Sequence, residues 1–289
     1  MATGLNPIPP GARTVLLPHG EGQVDVIVGG EGPPVMLVHS SGMGARQWSR
    51  TYRAWSDRHA LWAPNLLGYG ESGPWHDSPA AIDEDVDLLG TVLDAIGQPV
   101  HLVGHSYGGA CALRLALREP ERVRSLAVFE PTAFGLLRAS RDPAGMAELE
   151  SWDADPHFLD AASGGDSAWL RRFIDYWNQP GFWDAMFEAQ RDGLRAVGRK
   201  VFREVASVFL DDLPPAAYRL LEQPLLVMYG ARTTVAGRRM AELLAEAVPH
   251  AELEVFANAG HMAPLTRARH VLARIELNFL RAVTAEGRR

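Results

Sequence analysis

A chain of 289 residues, 47% hydrophobic and 22% charged, is long enough for one large catalytic domain with an insertion or two small domains, and it can bury a substantial core. Its formal charge of −7 is spread along the chain, with no basic cluster to track a phosphate backbone, which argues against a nucleic-acid partner. The single cysteine, Cys111, excludes an internal disulfide; Met1 to Pro10 has no basic stretch leading into an apolar run, and apolar runs such as Pro34 to Val38 are too short to span a bilayer, so a cytoplasmic protein away from membranes is expected.

In chain order, Arg13–Leu17 and Gln23–Val28 read as two strands joined by the turn His19-Gly20-Glu21-Gly22. Gly29 to Pro34 is a turn, and Val35–Val38 is a short, continuously apolar strand of the kind that is covered on both faces. A helical stretch near Gln47–Trp55 and a strand over Ala60–Ala63 follow. Ala81–Ile96 carries apolar residues at helical spacing (Ile82, Val86, Leu89, Val92, Leu93, Ile96), with Gly97 placed to end the helix. Val100–Val103 is a strand, Ala110–Arg118 a helix and Val123–Phe129 a strand. This alternation predicts an α/β fold, a mostly parallel sheet with helices on both faces.

Between Thr132 and about Pro215 no strand is predicted. The segment is rich in aromatics, among them Trp152, Phe158, Trp169, Phe173, Tyr176, Trp177, Phe182, Trp183 and Phe187. It reads as a helical cap inserted over the site, whose aromatics either line a pocket, form the insertion's own core, or do both. The α/β pattern then resumes: strand Leu225–Tyr229, helix Ala236–Ala247, strand Leu253–Ala257 and helix Val271–Val283. The expected organisation is a core of residues 1–131 and 216–289 with a cap at 132–215, and no internal repeat.

Gly104-His105-Ser106-Tyr107-Gly108 fits the G-x-S-x-G pattern and lies between a predicted strand and a predicted helix. A sharp strand-to-helix turn there would hold the Ser106 hydroxyl above the sheet, with glycines two residues either side avoiding backbone clashes. The N-terminus of the next helix would favour a developing negative charge.

With His39-Ser40-Ser41-Gly42 after an apolar strand, Gly68-Tyr69-Gly70-Glu71-Ser72, this elbow, and Gly260-His261-Met262, the chain resembles the α/β-hydrolase superfamily from about Val24 to Leu280. The resemblance implies an α/β-hydrolase fold with a cap after the sixth strand, in the manner of the esterase, lactonase and carbon–carbon hydrolase branches. It also implies an oxyanion hole made by the backbone N–H groups of Tyr107 and Ser41. His261, in a glycine-containing loop after the last predicted strand, stands where relatives carry the base, and the order serine then histidine fits. His39 and His105 read as structural, and His101 as a core group within a strand.

Relatives often place the orienting acid just after the seventh strand, where this chain has Thr233, which cannot stabilise an imidazolium as a carboxylate does. Glu130, directly after the sixth strand, is the replacement candidate, since carboxylates at the C-terminal edge of a parallel sheet face the ligand side. The alternative is a surface or capping glutamate. Two further departures, Ser40 in place of the usual glycine and Asn65 in place of the usual aspartate, put the loop's hydrogen bonding in question.

Other signals fail on context. Gly68 to Gly73 spells G-x-G-x-x-G but leads into Pro74–Pro79, a loop rather than a helix, so no dinucleotide site is expected. No histidine, cysteine or carboxylate grouping has metal-ligand spacing, and Cys111 reads as a small buried hydrophobe. The expected function is cofactor-free cleavage of a carboxylic ester, thioester or lactone of a small, partly apolar substrate through an acyl-enzyme. Two alternatives remain: hydrolysis of a carbon–carbon bond next to a ketone, and a non-catalytic binder of a small ligand. The sequence is silent on oligomeric state.

Overall fold

In the computed structural model, which describes residues 8–286, eight strands form one sheet in the order β1-β2-β4-β3-β5-β6-β7-β8. The residues before Ile8, which hold most of the N-terminal stretch considered above, lie outside the described residues. The strands are β1 (Ala12–His19), β2 (Gly22–Gly29), β3 (Pro34–Val38), β4 (Ala60–Pro64), β5 (Val100–His105), β6 (Val123–Phe129), β7 (Leu225–Gly230) and β8 (Glu252–Phe256). The β1–β2 and β2–β4 pairings are antiparallel and the other five are parallel, so the sheet is mostly parallel as the alternation of elements predicts.

Burial explains the strand sequences. β3, β5 and β7 are buried at every position, which requires apolar side chains on both faces, whereas edge strand β8 alternates between half-buried and exposed. Successive residues feed opposite cores: Leu102 and Leu126 pack on one face, Val103 and Ala127 on the other. Helices α1 (Ser49–Trp55), α2 (Ala81–Ile96) and α3 (Tyr107–Arg118) cover the sheet before the insertion. α2 buries its apolar stripe Ile82, Val86, Leu89, Val92 and Leu93, and Gly97 ends it with φ 70° while its N–H returns to Leu93 O at 3.0 Å.

Between β6 and β7 the described chain is helical: α4 (Phe134–Ser140), α5 (Pro143–Asp153), α6 (Ser167–Trp177), α7 (Phe182–Ala185), α8 (Glu188–Ala196), α9 (Gly198–Phe209) and α10 (Pro215–Tyr218). Asp142 and Asp166 cap α5 and α6 by accepting from Gly145 N and Trp169 N. The insert has its own small core of Trp169, Leu170, Trp183, Leu194, Val201, Phe202 and Val205. It is tied back to the sheet layer where Glu148 accepts from Ala236 N at 2.6 Å, at the start of α11 (Val235–Ala247). The short α12 (Ala263–Thr266) and long α13 (Ala268–Glu286) close the chain.

Candidate active site

The segment after β5 turns sharply at Ser106, which has φ 55° and ψ −121° and is 4% exposed. The flanking glycines are required by contact: a Cβ on Gly104 would stand 2.4 Å from Gly108 O, and one on Gly108 would stand 2.3 Å from His39 O. The turn is anchored where Ser106 N donates to Phe129 O at 2.9 Å, and α3 starts at the next residue, Tyr107. Ser106 thus stands at the C-terminal edge of the parallel sheet, at a helix N-terminus, where ligands of α/β folds bind.

Glu130 follows β6 directly and is fully buried, with φ 44°, a left-handed conformation that costs a non-glycine residue about 1–2 kcal/mol. Its backbone is fixed by Glu130 N donating to Met228 O at 2.8 Å. Its carboxylate collects three neighbours: Oε1 accepts from Gly230 N at 2.9 Å, while Oε2 lies 2.6 Å from both Thr233 Oγ1 and His261 Nδ1. A carboxylate only accepts, so the proton sits on Nδ1 and leaves Nε2 of His261 as the acceptor nitrogen. Thr233, at the position where relatives often carry an acid, is here a donor to the acid.

His261 is 5% exposed and lies beneath the indole of Trp177 from α6, stacked at 4.3 Å with an interplanar angle of 27°. Its backbone carbonyl accepts from Nε2 of His105 at 2.9 Å. Burial, and the neighbouring His261, hold the His105 pKa well below the usual histidine value, so His105 is a neutral donor that positions the loop. His39 is likewise neutral: burial takes its pKa down to about 4, Nδ1 donates to Ser40 O at 2.8 Å, and Nε2 accepts from Leu66 N at 3.1 Å. His101 is buried and pairs with Ser125 Oγ at 2.7 Å. All three are structural, as read from the sequence.

The loop Ser40–Gly44 closes its hydrogen bonds by a different route from the one the usual residues provide. Ser40 donates from both N and Oγ to Gln47 Oε1, at 3.0 and 2.8 Å. Asn65 accepts from Ala45 N and donates to Asp25 Oδ2, each at 2.8 Å, so the negative charge sits one residue further back, on a buried aspartate of β2. Gly68 to Gly73 packs against this pair; a Cβ on Gly70 would meet Asp25 Oδ2 at 2.3 Å, and no helix follows until Ala81.

A narrow cavity opens at Ser106, lined by Ser41 and Tyr107 from the sheet layer and by Thr132, Phe134, Trp152, Phe173, Trp177, Val205 and Val208 from the segment between β6 and β7. The insert's aromatics therefore divide: Trp152, Phe173 and Trp177 face the cavity, Trp169 and Trp183 fill the insert's core, and Phe187 is 78% exposed. Sequence reasoning missed a charged cluster beside this cavity. Lys200 Nζ of α9 lies 2.5 Å from Asp85 Oδ2 of α2 and 3.5 Å from Glu204 Oε1, with all three side chains at most 2% exposed. The helical spacing of Lys200 and Glu204 was the available signal, but it reads equally as a solvated pair on a surface helix.

The family model described as the alpha/beta hydrolase family matches residues 35–275. The chain belongs to the alpha/beta hydrolase family. Among curated members it is 28% identical over 264 residues to a 2-hydroxymuconate semialdehyde hydrolase of Pseudomonas putida, covering 87% of this chain and 88% of that one. It is 26% identical over 249 residues to a pimeloyl-[acyl-carrier protein] methyl ester esterase of Nitrosomonas europaea, covering 80% and 90%. The fold also matches a putative lipase of Acinetobacter baumannii AYE, with a TM-score of 0.72 at 19% identity over 95% of this chain and 93% of that one. The two curated relatives of this alpha/beta hydrolase named above, a semialdehyde hydrolase and a methyl ester esterase, act on different substrates.

Proposed function

We propose that the protein is a serine hydrolase that cleaves a carboxylic ester, thioester or lactone of a small, partly apolar substrate through an acyl-enzyme. The observation that carries this reading is the 2.6 Å contact between His261 Nδ1 and Glu130 Oε2, made at the same sheet edge as the strained Ser106 turn. In this mechanism His261 Nε2 takes the Ser106 proton as Oγ attacks the acyl carbonyl. The N–H groups of Ser41 and Tyr107 hold the oxyanion, each donor being worth about 10²–10³ in rate. His261 returns the proton to the leaving group, water resolves the acyl-enzyme, and Glu130 keeps the imidazole in one tautomer. Residues 132–215 act as a cap that supplies the apolar wall for the acyl group, and the protein works in the cytoplasm.

A second reading is carbon–carbon hydrolysis next to a ketone, favoured by the likeness to the 2-hydroxymuconate semialdehyde hydrolase. A semialdehyde of that structure has no ester to break, so its hydrolase must cleave carbon from carbon. Against this, the cavity lining described here carries no basic side chain to receive a muconate carboxylate. The non-catalytic reading is disfavoured because a pure binder has no use for a strained serine turn at the same sheet edge as a carboxylate-oriented histidine.

The test is turnover of p-nitrophenyl butyrate and of a β-diketone by wild type and Ser106→Ala, with folding followed by circular dichroism. Ester hydrolysis that vanishes in folded Ser106→Ala supports the proposal. Cleavage of the diketone alone moves the protein to the second reading. Turnover that persists in Ser106→Ala overturns the assignment of the nucleophile.

A further inference from the structure

The chain has 28 basic residues of the lysine and arginine types, and only one of them is a lysine, Lys200. Every other basic position uses arginine, mostly in exposed pairs, yet the single ammonium is 2% exposed and wedged between two buried carboxylates. An ammonium is a compact charge on a flexible stem and fits where a planar guanidinium would need a wider slot. Two carboxylates and one ammonium leave an excess negative charge in a buried place, which is costly unless the cluster keeps a proton. Burial pushes the Glu204 carboxyl up to about 7, with Lys200 opposing this and Asp85 adding to it. Tyr69, Tyr107 and Cys111 face the same cluster as neutral groups, all held far above their usual pKa values chiefly by burial, and His39 packs edge-on to Tyr69 at 4.7 Å.

The cluster reaches both residues on which the proposed oxyanion hole depends. On one side Tyr107 OH donates to Asp85 Oδ2 at 2.7 Å, and the Lys200 ammonium lies 5.7 Å from the centre of the Tyr107 ring. On the other side Tyr69 OH donates to Glu204 Oε2 at 3.0 Å and accepts from Gly42 N at 2.8 Å, which fixes the peptide that follows Ser41. Asp85 Oδ1 also accepts from Leu67 N at 2.9 Å, anchoring the stretch that carries Tyr69. Glu204 Oε1 makes no hydrogen bond among the described residues and lies 3.5 Å from Lys200 Nζ, while the Glu204 carboxyl also interacts with the side chain of Ser41 itself.

We propose that Lys200, with Glu204 and Tyr69, is a positioning residue of the insert that sets the separation and aim of the Ser41 and Tyr107 N–H groups. It touches no reacting atom and acts through Asp85–Tyr107 on one donor and through Glu204–Tyr69–Gly42 on the other. The inference rests on the hydrolase reading. It adds to that reading that helix α9 of the insert is part of the catalytic scaffold as well as a wall of the cavity.

The experiment compares wild type with Tyr69→Phe, Glu204→Gln and Lys200→Met on p-nitrophenyl butyrate, reading kcat, KM, the pH profile and Tm, together with the rate of phosphonylation by a fluorophosphonate. Tyr69→Phe deletes the link to Gly42 and leaves the Lys200–Asp85 pair in place, so it folds even where Lys200→Met does not. The expected result is a ~10–10²-fold loss of kcat and of phosphonylation rate in Tyr69→Phe with KM within about twofold, because a small misplacement of a donor is felt in the transition state only. Glu204→Gln keeps an acceptor for Tyr69 and is expected to retain more activity than Tyr69→Phe while losing one ionisation from the profile. The inference is overturned if Tyr69→Phe and Glu204→Gln shift Tm but leave kcat within about twofold of wild type. A wild type that neither hydrolyses the ester nor takes the phosphonate overturns the hydrolase reading and this inference with it, and that outcome is distinct from a live enzyme indifferent to Tyr69.

Discussion

Thr233 Oγ1 donates to Glu130 Oε2 at 2.6 Å, the same oxygen that faces His261 Nδ1 at 2.6 Å. The position from which relatives often supply an acid here supplies a hydrogen bond to an acid on the neighbouring strand. β6 and β7 are paired in parallel, so a carboxylate from the end of either strand reaches the same histidine.

Replacing Thr233 by aspartate should therefore harm the enzyme rather than restore a more usual site. Two carboxylates would share one buried position, and one would hold a proton at the expense of the histidine contact. We expect Thr233→Asp to lower kcat/KM by ~10-fold or more, the cost of about one unit of misplaced pKa. Thr233→Val should lose less than that in rate but about 1.5–3 kcal/mol in unfolding free energy, since a buried carboxylate loses a donor. Ester kinetics and urea melts of the two variants check both statements.

Glu130→Gln keeps the shape and an acceptor for Gly230 N–H, so the variant should fold. Its amide can turn its NH₂ group toward the ring and stabilise the wrong tautomer of His261. The expected loss in kcat is ~10³–10⁴, the size seen when the orienting carboxylate of such a histidine becomes an amide. A loss below about tenfold in a steady-state assay would remove Glu130 from the mechanism.

Glu204 gives stability a definite pH dependence. Its folded pKa of about 7 lies above the ordinary 4.5, so the folded state holds this proton more tightly than the unfolded chain does. Stability from this group is greatest below the unfolded value and declines as pH rises from about 4.5 through 7. Thermal melts of wild type and Glu204→Gln between pH 4 and 8 should differ in slope between about 4.5 and 7, where the wild type loses stability relative to the variant, and run parallel above about 7.

The cavity at Ser106 is narrow and walled by Phe134, Phe173 and Trp177. Short acyl chains should be preferred, with kcat/KM falling across p-nitrophenyl acetate, butyrate, octanoate and decanoate once the chain outgrows the pocket. Phe173→Ala should move the optimum to longer chains, by about fourfold in kcat/KM per added methylene that finds new apolar contact, from ~0.8 kcal/mol each. An unchanged chain-length profile would place the acyl group elsewhere.

Local features were legible in the sequence because their causes are local. The periodicity of Ala81–Ile96, the apolar runs of β3 and β5, and the glycine spacing around Ser106 each follow from constraints a few residues wide, and the observed elements agree with them to within a few residues. Boundaries that depend on long-range pairing were less exact: β5 continues to His105 and α3 begins at Tyr107, because the elbow itself joins the strand to the helix.

Residue identity by itself determined that this chain carries an α/β pattern, a serine on a strand-to-helix turn, and a carboxylate after the sixth strand. Tertiary structure decided what those residues meet. Glu130 and His261 are 131 positions apart and Lys200 and Asp85 are 115 apart, so neither pairing leaves a trace in any window of sequence. The i to i+4 spacing of Lys200 and Glu204 looks the same in water as in a core, and only the packing of α9 on α2 removes the water. Burial turns an ordinary pair of charges into a proton-holding cluster near the Ser106 turn, because the cost of an unpaired charge depends on the medium around it.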